Sequence, residues 1–242
     1  MNLIIDIGNT QTKLVAFKNG EPASEVITCD NTLSALPAFL AQYACEQGIV
    51  STVITLSPEA EAQLHALPFT VLRFTSTTPV PIRVAYRTPQ TLGVDRIAAV
   101  VGAVTIKANR NLLVIDVGTC ITYELVDAAG VYQGGNISPG IKIRLNALHQ
   151  YTGLLPLVSE IGETPDVGFD TSTAIRSGVI NGITNEMEGY IAAFSRKYQH
   201  LFVFLTGGDS LRFATRTKSA IFADKFLVPR GLNRILEYND KE

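Results

Sequence analysis

Ile4-Ile5-Asp6-Ile7-Gly8-Asn9-Thr10-Gln11-Thr12-Lys13-Leu14 lies at the start of the chain, and 110 residues after Asp6 the plan returns as Val114-Ile115-Asp116-Val117-Gly118-Thr119-Cys120-Ile121-Thr122. In each copy an apolar strand delivers a carboxylate at its end, a glycine opens a tight turn, and hydroxyl residues start the returning strand. A glycine lets the backbone approach a phosphate with no Cβ in the way. The aspartate cannot bind phosphate directly and reads as the holder of a hydrated Mg2+. One apolar-Asp-x-Gly segment alone describes many ordinary hairpins. The two copies, however, also share Thr12 with Thr122 and a second turn at Gly20 and Gly130. That is the pattern expected of two related domains facing one nucleotide.

The length of 242 residues fits one large domain or two small ones, and the repeat favours two. The boundary is placed at 1–109 and 110–242, where strand, glycine turn and strand start again. Charged residues make up 17% of the chain, against roughly 25% in ordinary globular domains, so part of the surface is expected to be covered by a second subunit. Twenty basic and 22 acidic residues leave a formal charge of −2, with no Lys/Arg-rich run. A nucleic-acid binder would carry a basic footprint. Cys29, Cys45 and Cys120 are odd in number and widely spaced, suggesting neither a disulfide framework nor a zinc site, and a reducing cytoplasm fits best. The first apolar strand ends at once in Asp6 and has no basic leader, so it does not read as a signal peptide. The longest apolar helical stretch, 97–106, is too short to span a bilayer. No membrane partner is expected.

Along the chain, 2–7, 11–17 and 25–29 read as a strand meander, with Lys18-Asn19-Gly20-Glu21 as its hairpin turn. Residues 32–47 have helical spacing, 51–56 is rich in β-formers, and Ser57-Pro58 starts a helix through residue 67. A strand at 69–74 follows. Pro79, Pro81 and Pro89 make 75–92 irregular or edge structure, a plausible substrate loop, and 94–107 is an apolar helix. After the restart at 108–111, Ser138-Pro139 reads as a helix N-terminus with proline at its first position, where free N–H groups favour an anion. Residues 171–198 form a long helix, with a break expected near Gly178 or Gly182. The strand 201–205 ends in Thr206-Gly207-Gly208-Asp209, a side-chain-free surface suited to adenosine, and a helix at 229–238 closes the chain. Strand triplets followed by helix–strand alternation imply mixed sheets covered by helices, the α/β class.

Asp6-x-Gly8-Asn9-Thr10, Gly93-Val94-Asp95-Arg96, Asp116-x-Gly118-Thr119, Gly134-Gly135-Asn136-Ile137-Ser138-Pro139-Gly140 and Thr206-Gly207-Gly208 together resemble the type III pantothenate kinases. The match runs in order through nearly the whole chain. Several of the motifs belong to the wider actin-like, sugar-kinase and Hsp70-type ATPase superfamily, whereas Gly-x-Asp-Arg is specific to the family. The resemblance implies two ribonuclease H-like (actin-like) domains, a homodimer, and transfer of the ATP γ-phosphoryl group to pantothenate in the first step of coenzyme A synthesis. Two alternatives stand beside it: an accessory transcriptional regulator of the same family without kinase activity, and a kinase of another small hydroxy compound.

The resemblance also implies roles for particular residues. Asp6, Gly8, Asn9 and Thr10 match the first phosphate motif, and Lys13 closes the segment associated with ATP; it could act as a point cation or be merely solvated. Gly118 and Thr119 match the second phosphate motif, with Cys120 where alanine is common. Asp116 corresponds to the position associated with a monovalent cation, K+ or NH4+; its plain alternative is a strand-end cap. Gly207 and Gly208 fall at the adenosine. Asp95 matches the base that takes the proton from the pantothenate hydroxyl; its plain alternative is the N-cap of a helix at 96–107, where Asp is favoured. Gly93 and Val94 belong to the same motif. Arg96 could fork onto the substrate carboxylate or form a surface ion pair. Tyr86 and Thr171 resemble further pantothenate-contacting positions, Thr171 either from the partner chain or in cis. Asp170 stands where an asparagine commonly precedes that threonine.

Overall fold

The computed structural model describes residues 1–240. The first part of the chain contains β1 (Asn2–Ile7), β2 (Thr12–Lys18), β3 (Glu21–Pro22), β4 (Ile27–Cys29), α1 (Leu36–Gln42), β5 (Gln47–Thr52), α2 (Pro58–His65), β6 (Val71–Arg73), β7 (Arg83–Val84), a 3-10 turn (Pro89–Thr91) and α3 (Val94–Ile106). Then come β8 (Leu112–Val117), β9 (Cys120–Val126), β10 (Val131–Pro139), α4 (Ile141–Gln150), α5 (Thr171–Lys197), β11 (Phe202–Thr206), α6 (Ser210–Ala214), β12 (Phe222–Ala223) and α7 (Leu227–Asn239).

One sheet has the order β3-β2-β1-β5-β6, with β4 also on β2; the other has the order β12-β11-β8-β9-β10-β7. Read from their first hairpins, both sheets place third, second, first, fourth and fifth strands in the same sequence. The repeat seen in the motifs is thus a repeat of topology. The chain also forms two compact units. Among the described residues, one holds 1–112, 124–134 and 224–240, and the other holds 113–123 and 135–223.

Strand alternation decides which side chains are core and which are site. On β1, Leu3, Ile5 and Ile7 join Leu36 and Phe39 of α1 and Ala60 and Leu64 of α2 in one apolar cluster. Ile4 and Asp6 therefore point to the other face of the strand, where α7 packs. On β8, Leu113, Ile115 and Val117 likewise join Ile141 of α4, Phe213 of α6 and the Ile175, Val179, Ile183 and Met187 stripe of α5, which turns Asp116 the other way.

The helix bearing Asp95 is held by a second helix at unusually short range. A Cβ on Gly102 of α3 would lie 2.1 Å from the Leu227 carbonyl oxygen, and one on Gly231 of α7 would lie 1.8 Å from that of Ala98. Only glycines permit this approach. It explains why residues 96–103 of α3 are buried without interruption.

Several local expectations are met and others are displaced. Lys18 pairs with Glu21 across a two-residue loop whose Asn19 and Gly20 have φ of 53° and 79°, the turn that Asn-Gly favours. The third strand expected at 25–29 is shortened to β4, and β3 forms ahead of it; between the two, Ser24 Oγ accepts the Ala16 N–H at 2.9 Å. The helix expected over 32–47 shrinks to α1, since Asp30 ties residues 32–34 into a turn with Leu33 at φ 64°. The strand expected at 51–56 starts earlier, as β5, because Gly48 fits against the Leu3 carbonyl at 3.1 Å from where a Cβ would be. Pro139 ends β10 rather than beginning a helix, and Gly140 caps α4. Helix α5 runs 27 residues unbroken; Gly178 and Gly182 face open space, and the buried stripe on the same helix carries it on past them.

Candidate active site

The first turn is built by groups brought in from beyond the hairpin. Gly8 N–H donates to the Gln11 carbonyl at 3.0 Å. Asn31 Nδ2 donates to the Gly8 carbonyl at 3.0 Å, and its Oδ1 accepts from Thr12 Oγ1 at 3.0 Å. Thr12 is fully buried, so Asn31 clamps the base of the turn, while Asn9 and Thr10 stay exposed. Asp6 faces Lys13 across the β1–β2 ladder. Burial pushes the Asp6 carboxyl above its ordinary 3.8, Lys13 opposes the rise, and the Asp95 charge adds to it. Asp6 and Asp95 therefore feel each other within one unit.

Asp95 is not an N-cap. The cap is Gly93, helix α3 starts at Val94, and Asp95 sits in its first turn, with Oδ1 accepting the Arg96 N–H at 2.9 Å. A Cβ on Gly93 would lie 2.5 Å from that same Oδ1, so the glycine makes room for the carboxylate. Burial raises the Asp95 carboxyl above 3.8; the Arg96 N–H and charge oppose this, and Glu124 adds to it. Arg96 itself is only 7% exposed. Its Nε donates to Glu124 Oε1 at 2.6 Å and its Nη2 to Oε2 at 2.8 Å, and its guanidinium carbon lies 5.6 Å from the centre of the Tyr86 ring. The fork expected to meet a substrate carboxylate is closed on Glu124.

In the other unit, three motifs far apart in sequence converge on the second turn. Gly118 N–H donates to the Cys120 carbonyl, Gly140 N–H to that of Thr119, and Asp209 N–H to that of Val117, each at 3.0 Å. A Cβ on Gly140 would stand 2.2 Å from the Gly118 carbonyl oxygen, and one on Gly207 would stand 2.4 Å from Asp116 Oδ1. Gly207, at φ +98°, thus packs on the acidic turn, whereas Gly208 faces open space. Asp209 is also pushed up by burial, with Arg212 and Lys142 pulling down and Glu160 pushing up.

Thr171 is the first residue of α5 and is exposed. Asp170 caps that helix, accepting the Thr173 N–H at 2.7 Å, so the aspartate performs the capping task and leaves Thr171 presented. Nearby, α4 and α5 line an open apolar groove of about 760 Å3, with Ile143, Leu148, Tyr151, Leu155, Ile175 and Val179 among its walls.

Sequence reasoning missed Asn31, Glu124 and Tyr132. Glu124 had a signal, being the one charged residue in the apolar run 121–126; Asn31 reads as loop, and its partners are 19 and 23 residues away. Among the described residues no three or more His, Cys, Asp or Glu side chains cluster as metal ligands. Mg2+, which a kinase takes with ATP, keeps several waters and binds through one or two carboxylates plus substrate phosphates. Asp6 would hold it, and the ion would supply positive charge to the phosphates. No helix among the described residues is long and apolar enough to cross a membrane.

Residues 2–193 match the type III pantothenate kinase family. A type III pantothenate kinase of Phocaeicola vulgatus is 52% identical over 241 residues, covering 100% of both chains. Among solved structures, a Campylobacter jejuni protein titled as a Baf family transcriptional activator superposes with a TM-score of 0.62 at 22% identity, over 99% of this chain and 100% of its own. A Sinorhizobium meliloti protein titled as a 2-dehydro-3-deoxygalactonokinase does so with a TM-score of 0.59 at 12% identity, over 100% of both. At such identities the structures speak for the fold, the two-domain actin-like arrangement of mixed sheets and covering helices. With the motifs in place on that fold and the full-length relative, the chain belongs to the type III pantothenate kinases, which phosphorylate pantothenate with ATP in the first step of coenzyme A biosynthesis.

Proposed function

We propose that Asp95 is the base of this reaction. The pantothenate hydroxyl oxygen attacks the γ-phosphorus of ATP, the bond to the β,γ-bridging oxygen breaks, ADP leaves, and the hydroxyl proton passes to the Asp95 carboxylate. In such transfers alignment and charge stabilisation dominate, and the base orients the hydroxyl and takes its proton late. The observation that carries the reading is the Gly93–Asp95 contact: a half-buried carboxylate with raised proton affinity, in a space that only a glycine leaves open.

The remaining roles follow from the same reading. Gly8, Asn9, Thr10 and Lys13 serve one end of the nucleotide's phosphates, and Gly118 and Thr119 the other. Gly207 and Gly208 lie at the adenosine, and Asp6 holds Mg2+ through water. Asp116 takes a monovalent cation, K+ or NH4+. Tyr86, Gly93, Val94, Asp95, Arg96 and Thr171 contact pantothenate, with Arg96 contributing charge, because two of its N–H groups are spent on Glu124. The repeat divides the chain into two homologous domains, 1–109 and 110–242, even though α7 packs on α3.

We also read the enzyme as a cytoplasmic homodimer. Tyr151, Leu154, Leu157, Ile161, Val167 and Phe169 are exposed, Leu154 at 97%, an apolar run beside the α4–α5 groove that a second copy would cover. Thr171 follows this run, which suits a contribution to the partner's site. The test is a coupled ADP-release assay with MgATP across pantothenate, sugars, glycerol and acetate, in sodium and in potassium. Release that requires pantothenate and potassium or ammonium supports the reading, and equal release with the other acceptors refutes it.

A further inference from the structure

We infer that Glu124 is a positioning residue for the phosphoryl transfer: from β9 it locks the Arg96 guanidinium, and through Arg96 it fixes the first turn of α3 and the direction of the Asp95 carboxylate. The inference rests on the assignment of Asp95 as base. Glu124 is 0% exposed and Arg96 7%. Both Glu124 oxygens are used, Oε1 by Arg96 Nε, and Oε2 by Arg96 Nη2 and the Tyr132 hydroxyl. Tyr86 covers the guanidinium from another side, its ring parallel to that of Tyr132 at 6.4 Å. Gly134, at φ +107°, leaves the space for that ring, since a Cβ there would lie 3.3 Å from Tyr86 Cδ2.

Desolvation takes back most of what a buried ion pair gains, so such a pair contributes little to stability compared with apolar residues of the same volume. What a bidentate fork does supply is direction, since the planar guanidinium can meet both oxygens in only one orientation. Here that direction is passed on over a very short path. Arg96 follows Asp95 directly, and its own N–H donates to Asp95 Oδ1 at 2.9 Å. Tethering the far end of the Arg96 side chain to β9 ties down the first turn of α3, which carries this backbone N–H and the carboxylate that accepts it. The charged groups that face Asp95 are Arg96 on its own helix, Glu124 from β9 and Asp6 from β1. Glu124 opposes ionisation of Asp95 and Arg96 favours it.

The test uses purified full-length chain in the ADP-release assay, with folding followed by circular dichroism. Glu124→Gln keeps the shape and removes the charge. The expected result is a KM for MgATP unchanged and kcat lowered by about tenfold or more, the size of one lost hydrogen bond between charged groups. The acid limb of kcat/KM should move to lower pH, because the charge that opposed ionisation of Asp95 is gone while Arg96 remains. A purely structural role would lower the melting temperature and leave kcat of the folded enzyme at the wild-type value; the limb follows the lost Glu124 charge in either case. A folded Glu124→Gln with wild-type kcat overturns the inference. Should that variant not fold, Tyr132→Phe decides: removing one bond to Oε2 should lower kcat severalfold, and an unchanged kcat overturns it. Absence of pantothenate-dependent ADP release in the wild type would instead overturn the base assignment on which it rests.

Discussion

Gly93→Ala separates the geometry of the proposed base, Asp95, from the stability of the fold. The added Cβ would meet Asp95 Oδ1 at 2.5 Å, so the carboxylate must retreat by about 0.9 Å to reach an ordinary contact of about 3.4 Å. To do so it gives up its bond to the Arg96 N–H. A displacement near 1 Å at a reacting group costs about a hundredfold in rate, within the roughly 10²- to 10⁴-fold that a general base supplies in total. Stability should barely change. Gly93 has φ −58° and ψ 130°, which alanine adopts without strain. The entropy gained from a stiffer unfolded chain, about 0.4–1 kcal/mol, is opposed by alanine's weakness as an N-cap, also about 1 kcal/mol. The assay is kcat for pantothenate-dependent ADP release, paired with a thermal melt. Wild-type kcat in Gly93→Ala would show that the carboxylate position does not limit the reaction; activity lost only in step with unfolding would show that the glycine serves the fold alone.

Asp95→Asn should fold and lower kcat by about 10²- to 10⁴-fold, because an amide can hold the hydroxyl but cannot accept its proton; full activity would remove Asp95 from the chemistry. Gly102→Ala or Gly231→Ala drives a methyl into a backbone carbonyl and should destabilise the chain by about 1–3 kcal/mol, a drop of several degrees in Tm that an unchanged melt would contradict. The acid limb of kcat/KM should lie above 3.8, since the base works ionised and burial raises its carboxyl, so activity falls as pH drops through that raised value. A limb at or below 3.8 would speak against Asp95 as the titrating group.

What the sequence determined by itself was everything encoded by short-range spacing. The two Asp-x-Gly hairpins, the Asn19-Gly20 turn, the proline-marked start of α2 and the apolar helix beginning at Val94 follow from local rules, because turn geometry and helical spacing are properties of neighbours along the chain. Their duplication carried the α/β architecture with it, and the ordered motifs carried the family. Tertiary structure decided who touches whom. Gly48 became a strand residue because Leu3 lies against it, α5 stayed whole because a buried stripe runs past its glycines, and α7 came to rest on α3 because Gly102 faces the Leu227 carbonyl and Gly231 that of Ala98. The partner of Arg96 was equally out of reach: Glu124 is 28 residues away, and only the fold, by burying both charges together, turns an apparent substrate fork into a closed internal pair.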